Sequence, residues 1–214
     1  MEKLVDGDLG IVRAGPAGFG NNIYIVIDEA SGEAAFIDAP DEVEKSIAAV
    51  EFAGVEPSTI LLTHSHQDHT ASIVALKERY GCRLIADPEE PWIPEGTLDE
   101  AITDGDTVRV GGLTFDVVSI PGHTPASTAF IHGSHAFVGD TLFPGGPGHS
   151  RSNELFQQEI ASITTRLYAL ADDTTVWPGH GGNTTIGASK AEYEVFASRD
   201  HAPDLHGDVL WLES

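Results

Sequence analysis

The chain has 214 residues, 41% of them apolar, which is enough for one substantial core, and no apolar run is long enough to span a bilayer. Its 34 Asp and Glu against 11 Lys and Arg give a formal charge of −23, spread along the chain rather than gathered in a tail. That balance argues against a nucleic-acid partner, whose backbone needs clustered Lys and Arg, and the single Cys82 rules out an internal disulfide.

Met1-Glu2-Lys3-Leu4-Val5-Asp6-Gly7-Asp8 lacks a basic stretch followed by an apolar one, so no secretory signal and a cytoplasmic location are expected. Residues 10–13, 22–27 and 34–38 read as strands. Residues 42–52 read as a helix with Val43, Ile47 and Val50 on one face. An apolar run, 58–63, leads into a polar loop, and a second helix follows over 71–80 through Ile73, Leu76 and Tyr80. Cys82 opens a strand-like run, 82–86, as a small core residue. Residues 108–110 and 113–120 flank Gly111-Gly112, a two-residue hairpin signature. Residues 129–138 form a strand run broken near Gly133-Ser134, and 174–177 form another. Residues 154–170 predict the longest helix, with Phe156, Ile160, Ile163, Leu167 and Leu170 on one face, and 188–198 predict the last. Strands clustered between helices, with no repeat or linker, imply one layered α/β domain over residues 1–214.

The polar loop is His64-Ser65-His66-Gln67-Asp68-His69, four of whose six side chains can ligate a metal. Imidazole with carboxylate suits Zn²⁺, Fe or Mn²⁺, and a short irregular loop can turn such side chains toward one point. Three further segments place one ligand-type residue just past a strand: Pro121-Gly122-His123-Thr124-Pro125, Gly139-Asp140-Thr141-Leu142-Phe143 and Pro178-Gly179-His180-Gly181. A lone His or Asp there ordinarily caps or turns the chain. Four such endings read as one site at one edge of a sheet system. Of the other histidines, His132 and His135 flank the expected hairpin turn, His201 and His206 lie in a polar tail, and His149 lies in a Gly-rich loop bordering the site.

These four segments, in this order and spacing, resemble the metallo-β-lactamase superfamily and, within it, the glyoxalase II-like (hydroxyacylglutathione hydrolase-like) hydrolases. The resemblance spans about residues 10–198. It implies an αββα sandwich, two mixed sheets back to back with helices outside. It implies two divalent metal ions, zinc ahead of iron or manganese. His64, His66 and His123 would hold the first, Asp68, His69 and His180 the second, and Asp140 would bridge them. Asp38 matches a family position that supports the histidine loop. The implied reaction is metal-assisted hydrolysis of a small-molecule thioester, with Asp68 and Asp140 as catalytic carboxylates.

Glutathione-using members carry a Lys/Tyr-bearing segment soon after the bridging Asp, and this chain has neither residue between Leu142 and Arg151. Arg151 is the cation near the expected cleft, able to meet a substrate carboxylate or to sit exposed before the helix. Two alternatives share the motifs: a persulfide dioxygenase-like mono-iron oxidoreductase and an N-acyl-homoserine lactonase-like hydrolase, although the usual lactonase Tyr has no match here. The dispersed acids and only four lysines resemble proteins of organisms that accumulate molar salt, where screening over about 3 Å makes carboxylate repulsion tolerable.

Overall fold

A computed structural model describes the whole chain, Met1–Ser214. The first sheet has seven strands whose spatial order is their chain order: β1 (Glu2–Asp6), β2 (Leu9–Ala17), β3 (Asn21–Asp28), β4 (Ala34–Ile37), β5 (Thr59–Leu61), β6 (Arg83–Ala86) and β7 (Leu98–Ala101). β1 to β4 are antiparallel neighbours, and β4 to β7 are parallel. Parallel neighbours need crossovers. α1 (Val43–Ala53) joins β4 to β5, and α2 (Gln67–Thr70) with α3 (Ile73–Tyr80) joins β5 to β6.

The second sheet contains β8 (Thr107–Val110), β9 (Leu113–Ser119), β10 (Thr128–His132) and β11 (His135–Gly139), then β14 (Thr175–Pro178) and β15 (Thr184–Thr185). A small hairpin, β12 (Leu142–Phe143) with β13 (Gly146–Pro147), and α4 (Asn153–Thr165) lie between β11 and β14. α5 (Ile186–Ala197) follows β15.

Alternation along the strands builds three cores. On β3, whose residues are all buried, Ile23, Ile25 and Ile27 pack with Ala49 and Val50 of α1 and Ile73 and Leu76 of α3. Tyr24 and Val26 point the other way, into a core with Phe115, Phe130 and Phe137 of the second sheet. Ala129, Ile131, Ala136 and Val138 then meet Phe156 and Ile163 of α4 and Ile186 and Phe196 of α5. The layers are helix, sheet, sheet, helix: the expected αββα sandwich. A strand with a layer on each face has no polar side, which is why these runs read as apolar.

The polarity of the strands fixes where a site can be. β9, β11 and β14 run in one direction, since β10 is antiparallel to both β9 and β11, and β11 is parallel to β14. Their C-terminal ends meet one edge. The ends of β4 and β5 meet it too, because the Thr128 N–H donates to the Thr63 carbonyl (2.8 Å) and the Asn22 N–H to the Gly179 carbonyl (2.7 Å).

Several expectations are corrected. The predicted helix over 154–170 ends at Thr165, and a single 3₁₀ turn, Leu167–Ala169, follows. The hydroxyls of Thr164 and Thr165 donate back to the carbonyls of Ile160 and Ala161, a competition that weakens the helical ladder there. The predicted helix over 71–80 begins at Ile73, and the histidine loop is not wholly irregular, since Gln67–Thr70 forms the separate turn α2. Ser72 interrupts the two, its N–H donating to Ala39 and its hydroxyl to Pro40. The tail holding His201 and His206 is not merely polar: Val209 and Trp211 are buried in the third core, and His201 stacks on Phe196 with centroids 3.9 Å apart. Gly111-Gly112 makes its hairpin, with Val110 paired to Leu113, and Cys82 is buried.

No helix is long and apolar enough to cross a membrane. Only five of the 34 acids, Asp28, Asp38, Asp87, Glu90 and Glu159, are buried, so the charge lies at the surface. Removing salt lengthens the screening distance from about 3 Å at 1 M to about 30 Å at 0.01 M, and the repulsions then add up. The melting temperature should rise clearly from 0.1 to 2 M KCl, followed by thermal unfolding with Zn²⁺ held saturating. A flat or falling curve would mean that the acidic surface is not a salt adaptation.

Candidate metal centre

The structure brings all seven predicted ligand residues to the shared sheet edge. His64, His66 and His123 each offer one ligand atom, and these lie within 4.8 Å of one another. Asp68, His69, Asp140 and His180 form a second such group. Asp140 stands between them. Its Oδ2 is 3.9 Å from His123 Nε2 and 3.3 Å from His180 Nε2, and its Oδ1 is 3.4 Å from His69 Nε2.

The ring nitrogens are assigned by what lies behind them. Asp38, at a backbone φ of 61°, accepts from the Thr63 N–H (2.7 Å), the Thr63 hydroxyl (2.8 Å) and His69 Nδ1 (2.8 Å). With its own proton given to Asp38, the Thr63 oxygen is left to accept from His64 Nδ1 at 3.1 Å. His123 Nδ1 donates to the His149 carbonyl at 3.1 Å. In His64 and His123 Nε2 is thereby left as a lone pair, and in His69 Nε2 is turned toward Asp140. The third grouping of ligand-type residues, Asp38 with His64 and His69, is therefore the supporting network.

Backbone close approach completes the edge. A Cβ on Gly179 would stand 2.2 Å from Asp140 Oδ1, and one on Gly139, where φ is +52°, would stand 2.4 Å from the Thr63 hydroxyl. The glycines of these two turns are required by space.

The charges divide the site. Burial and the neighbouring His69 hold His64 well below the ordinary histidine range, and burial takes His123 down to about 4. Both are neutral at physiological pH. Burial opposes charge on His180, but Asp140 and Asp68 raise it to about 9, and Asp140 and Asp38 likewise raise His69. Burial also opposes ionisation of Asp140, yet His69 and His180 keep it well below the carboxylate range. Two inward-facing atoms make no well-formed hydrogen bond: His64 Nε2 and Asp140 Oδ1, both buried. An imidazole and carboxylate set with unpaired lone pairs at this depth fits a divalent cation, which would replace the protons now shared in the second group.

Three buried groups at the site carry no sequence signal. Glu90 joins the two loops bearing the first histidine group: Oε2 accepts from the Ser65 N–H and hydroxyl (both 2.6 Å), and Oε1 accepts from the Thr124 hydroxyl and the Ala126 N–H (3.1 Å). Asn21 Nδ2 donates to Asp68 Oδ2 (3.0 Å) and lies 3.2 Å from His69 Nε2. Glu159 of α4 accepts from the Gly148 N–H (3.2 Å), behind the loop that follows Asp140.

A family model described as the metallo-beta-lactamase superfamily matches residues 16–197. The chain belongs to the metallo-β-lactamase superfamily. Among curated superfamily relatives, a hydroxyacylglutathione hydrolase of Chromohalobacter salexigens is 39% identical over 77% of this chain, which spans 64% of that relative's length. Hydroxyacylglutathione hydrolase GloC of Haemophilus influenzae is 32% identical over 80% of this chain and 91% of its own. Among solved members, ETHE1 from Myxococcus xanthus aligns with a TM-score of 0.79 at 28% identity, covering 89% of this chain and 85% of that one. TTHA1623, in a di-iron-bound form, aligns with a TM-score of 0.67 at 31% identity, covering 84% and 96%. The superfamily resemblance read from the motifs is thus shown, and so is its sandwich fold.

Glu159 generates a prediction about pH. Burial raises it to about 9, far above the ordinary glutamate value of 4.5, so it is protonated when folded and ionised when unfolded at neutral pH. The native state binds the extra proton, and stability falls as pH rises from about 4.5 toward 9. Glu159→Gln removes that titration. Its stability relative to the parent should improve steadily between pH 5 and pH 8, as read by denaturant unfolding. A difference independent of pH would refute the buried protonated carboxyl.

Proposed function

We propose that the chain is a dinuclear metal-dependent hydrolase whose substrate is an acyl thioester, in the style of S-D-lactoylglutathione or a related thiol ester. The observation that carries this reading is the pair of ligand groups meeting at Asp140. His64, His66 and His123 would hold one ion and Asp68, His69 and His180 the other, with Asp140 shared, because two nearby cations repel unless an anion lies between them. The relatives named hydroxyacylglutathione hydrolases support the substrate class, and the di-iron form of a structural relative supports two ions. Zinc is the proposed metal, with iron or manganese as competitors for the same donors.

When bound, divalent cations here supply Lewis acidity toward a carbonyl oxygen and lower the pKa of water to about 7. The chain supplies the rest. Asp38 and Thr63 keep the ligand rings from rotating. Asp68, half-buried at the cleft and held by Asn21 and His180, orients the attacking water, whose proton passes to solvent. The water oxygen bonds to the acyl carbon, the C–S bond breaks, and the thiolate leaves with the electron pair. A thiolate departs with little help from a proton donor, so the chemistry does not require a strong general acid among the lining residues.

The expected outcome is hydrolysis of thioesters without consumption of oxygen, lost on chelation and restored by Zn²⁺. Asp140→Ala should lower occupancy at both positions in metal analysis, and full two-metal occupancy in that variant would refute the bridge. Stoichiometric oxygen uptake with a persulfide and no thioester turnover would select the mono-iron oxidoreductase, and turnover of lactones alone would select the lactonase.

Proton release gives a second, activity-free readout. With His180 raised to about 9 and His69 also raised, both rings carry protons at pH 7.5 before metal binds. Loading should release about two protons, and apparent affinity should climb between pH 7 and 9. Calorimetry in buffers of differing ionisation enthalpy measures this, and no release would overturn the second ligand group.

A further inference from the structure

Beside His66 lies a cavity of about 540 Å³ bordered by Ala71, Val74, Trp92, Pro94 and Arg151. That volume suits a small organic ligand. One wall is aromatic and exposed. Trp92 stacks on the His66 ring, with centroids 5.4 Å apart and planes at 21°, and its backbone N–H donates to Ser65 Oγ at 3.0 Å. Despite this fixed position, 46% of Trp92 stays exposed, and so does 50% of Val74 across the cavity. Exposed apolar faces this close to a reaction site are surfaces for a ligand to cover.

Arg151 closes the other side. Its Cζ lies 5.2 Å from the centroid of the Trp92 ring, a cation–π contact that holds the guanidinium over the cavity. Its Nη2 lies 3.5 Å from His66 Nε2, too long for a good hydrogen bond. Seven of the eleven Lys and Arg side chains form ion pairs with carboxylates. Arg151 does not, in a chain where acids outnumber those cations threefold. A guanidinium with its fork of donors free, fixed by an aromatic face and adjoining the metal ligands, is arranged to receive a carboxylate from outside the chain.

We propose that Trp92 and Arg151 form a specificity subsite for a carboxylate carried by the thioester substrate. The apolar segment between that carboxylate and the C–S bond lies on Trp92 and Val74. The proposal rests on the hydrolase reading above and deepens it by naming the residues that would recognise a carboxylate on the thioester. The carboxylate could belong to the thiol half or to the acyl half, and the two have separate probes.

Two matched pairs of thioesters make the test, at one fixed KCl concentration. S-butyryl-N-acetylcysteine and its methyl ester differ in the thiol half. S-succinyl- and S-butyryl-N-acetylcysteamine differ in the acyl half. In one pair, the parent protein should favour the carboxylate member by about 10- to 100-fold in kcat/KM, the discrimination expected of a charge-assisted forked contact. That ratio should fall to near 1 in Arg151→Ala, fall below 1 in Arg151→Glu, and be partly kept in Arg151→Lys. The same compounds are also titrated against tryptophan emission, because Trp92 is exposed while Trp177 and Trp211 are buried. The carboxylate member should perturb the parent's emission at lower concentration than its neutral partner, and Trp92→Phe should lose the signal. Turnover with no carboxylate preference in either pair, or a preference unchanged in Arg151→Ala, overturns the subsite while leaving the hydrolase reading intact. Absence of turnover with all four compounds, alongside a carboxylate-selective emission change that needs Arg151, overturns the hydrolase reading and keeps the subsite.

Discussion

The Asp38 carboxylate decides which nitrogen each neighbouring histidine presents. It accepts hydrogen bonds from the Thr63 amide, the Thr63 hydroxyl and His69 Nδ1, and through Thr63 it also sets the proton on His64 Nδ1. One buried acid at the end of β4 thus orients a ring from each ligand group. It can do so because β4 and β5 are parallel neighbours, so their ends lie side by side. Asp tolerates the left-handed backbone that aims this side chain under the loop, which larger or β-branched residues do not. An imidazole free to rotate would present Nδ1 or Nε2 at random and would dilute the ligand set.

Support from behind is equally specific for the opposite group. Glu90 is buried with both oxygens occupied by donors from two different loops, so the distance between the His64–His66 segment and the His123 turn is held by one side chain. The same contact sets Ser65, whose hydroxyl accepts from the Trp92 amide and so fixes the wall of the neighbouring cavity. The placing of His64, His66 and His123 and the shape of the cavity therefore share one buried carboxylate. Changes at Glu90 would reach both.

The fold and the convergence of seven ligand-type side chains were legible in the sequence because the signal is concentrated. Near-continuous apolar runs mark the strands, and ligand-type side chains come directly after them, in turns whose glycines are demanded by close approach. What was not legible depends on contacts between distant segments. Glu90 sits in Glu89-Glu90-Pro91, where nothing separates a buried bridging acid from the many solvated ones. Asn21 opens β3 with no pattern of its own. Trp92 and Arg151 are 59 positions apart and become a pair only when β13 and the chain after β6 flank the same edge. The C-terminal stretch reads as polar by count, yet Trp211 and Val209 pack against α5, so two apolar side chains outweigh their charged neighbours. Helix limits failed where hydroxyls at Thr164, Thr165 and Ser72 offered the backbone a competing bond.

The seven-stranded sheet follows chain order from β1 to β7, so each strand finds its neighbour among residues already made. During synthesis this layer can assemble progressively, with little entropy spent on closing long loops. It then displays His64, His66, Asp68 and His69 as an unfinished half-shell. His123, Asp140 and His180 arrive only with the second sheet, and β14 must leap past α4 to lie beside β11. An ion held by both groups would therefore wait for the last long-range pairing, and the finished edge would act as a clasp between an early-forming half of the molecule and a late one.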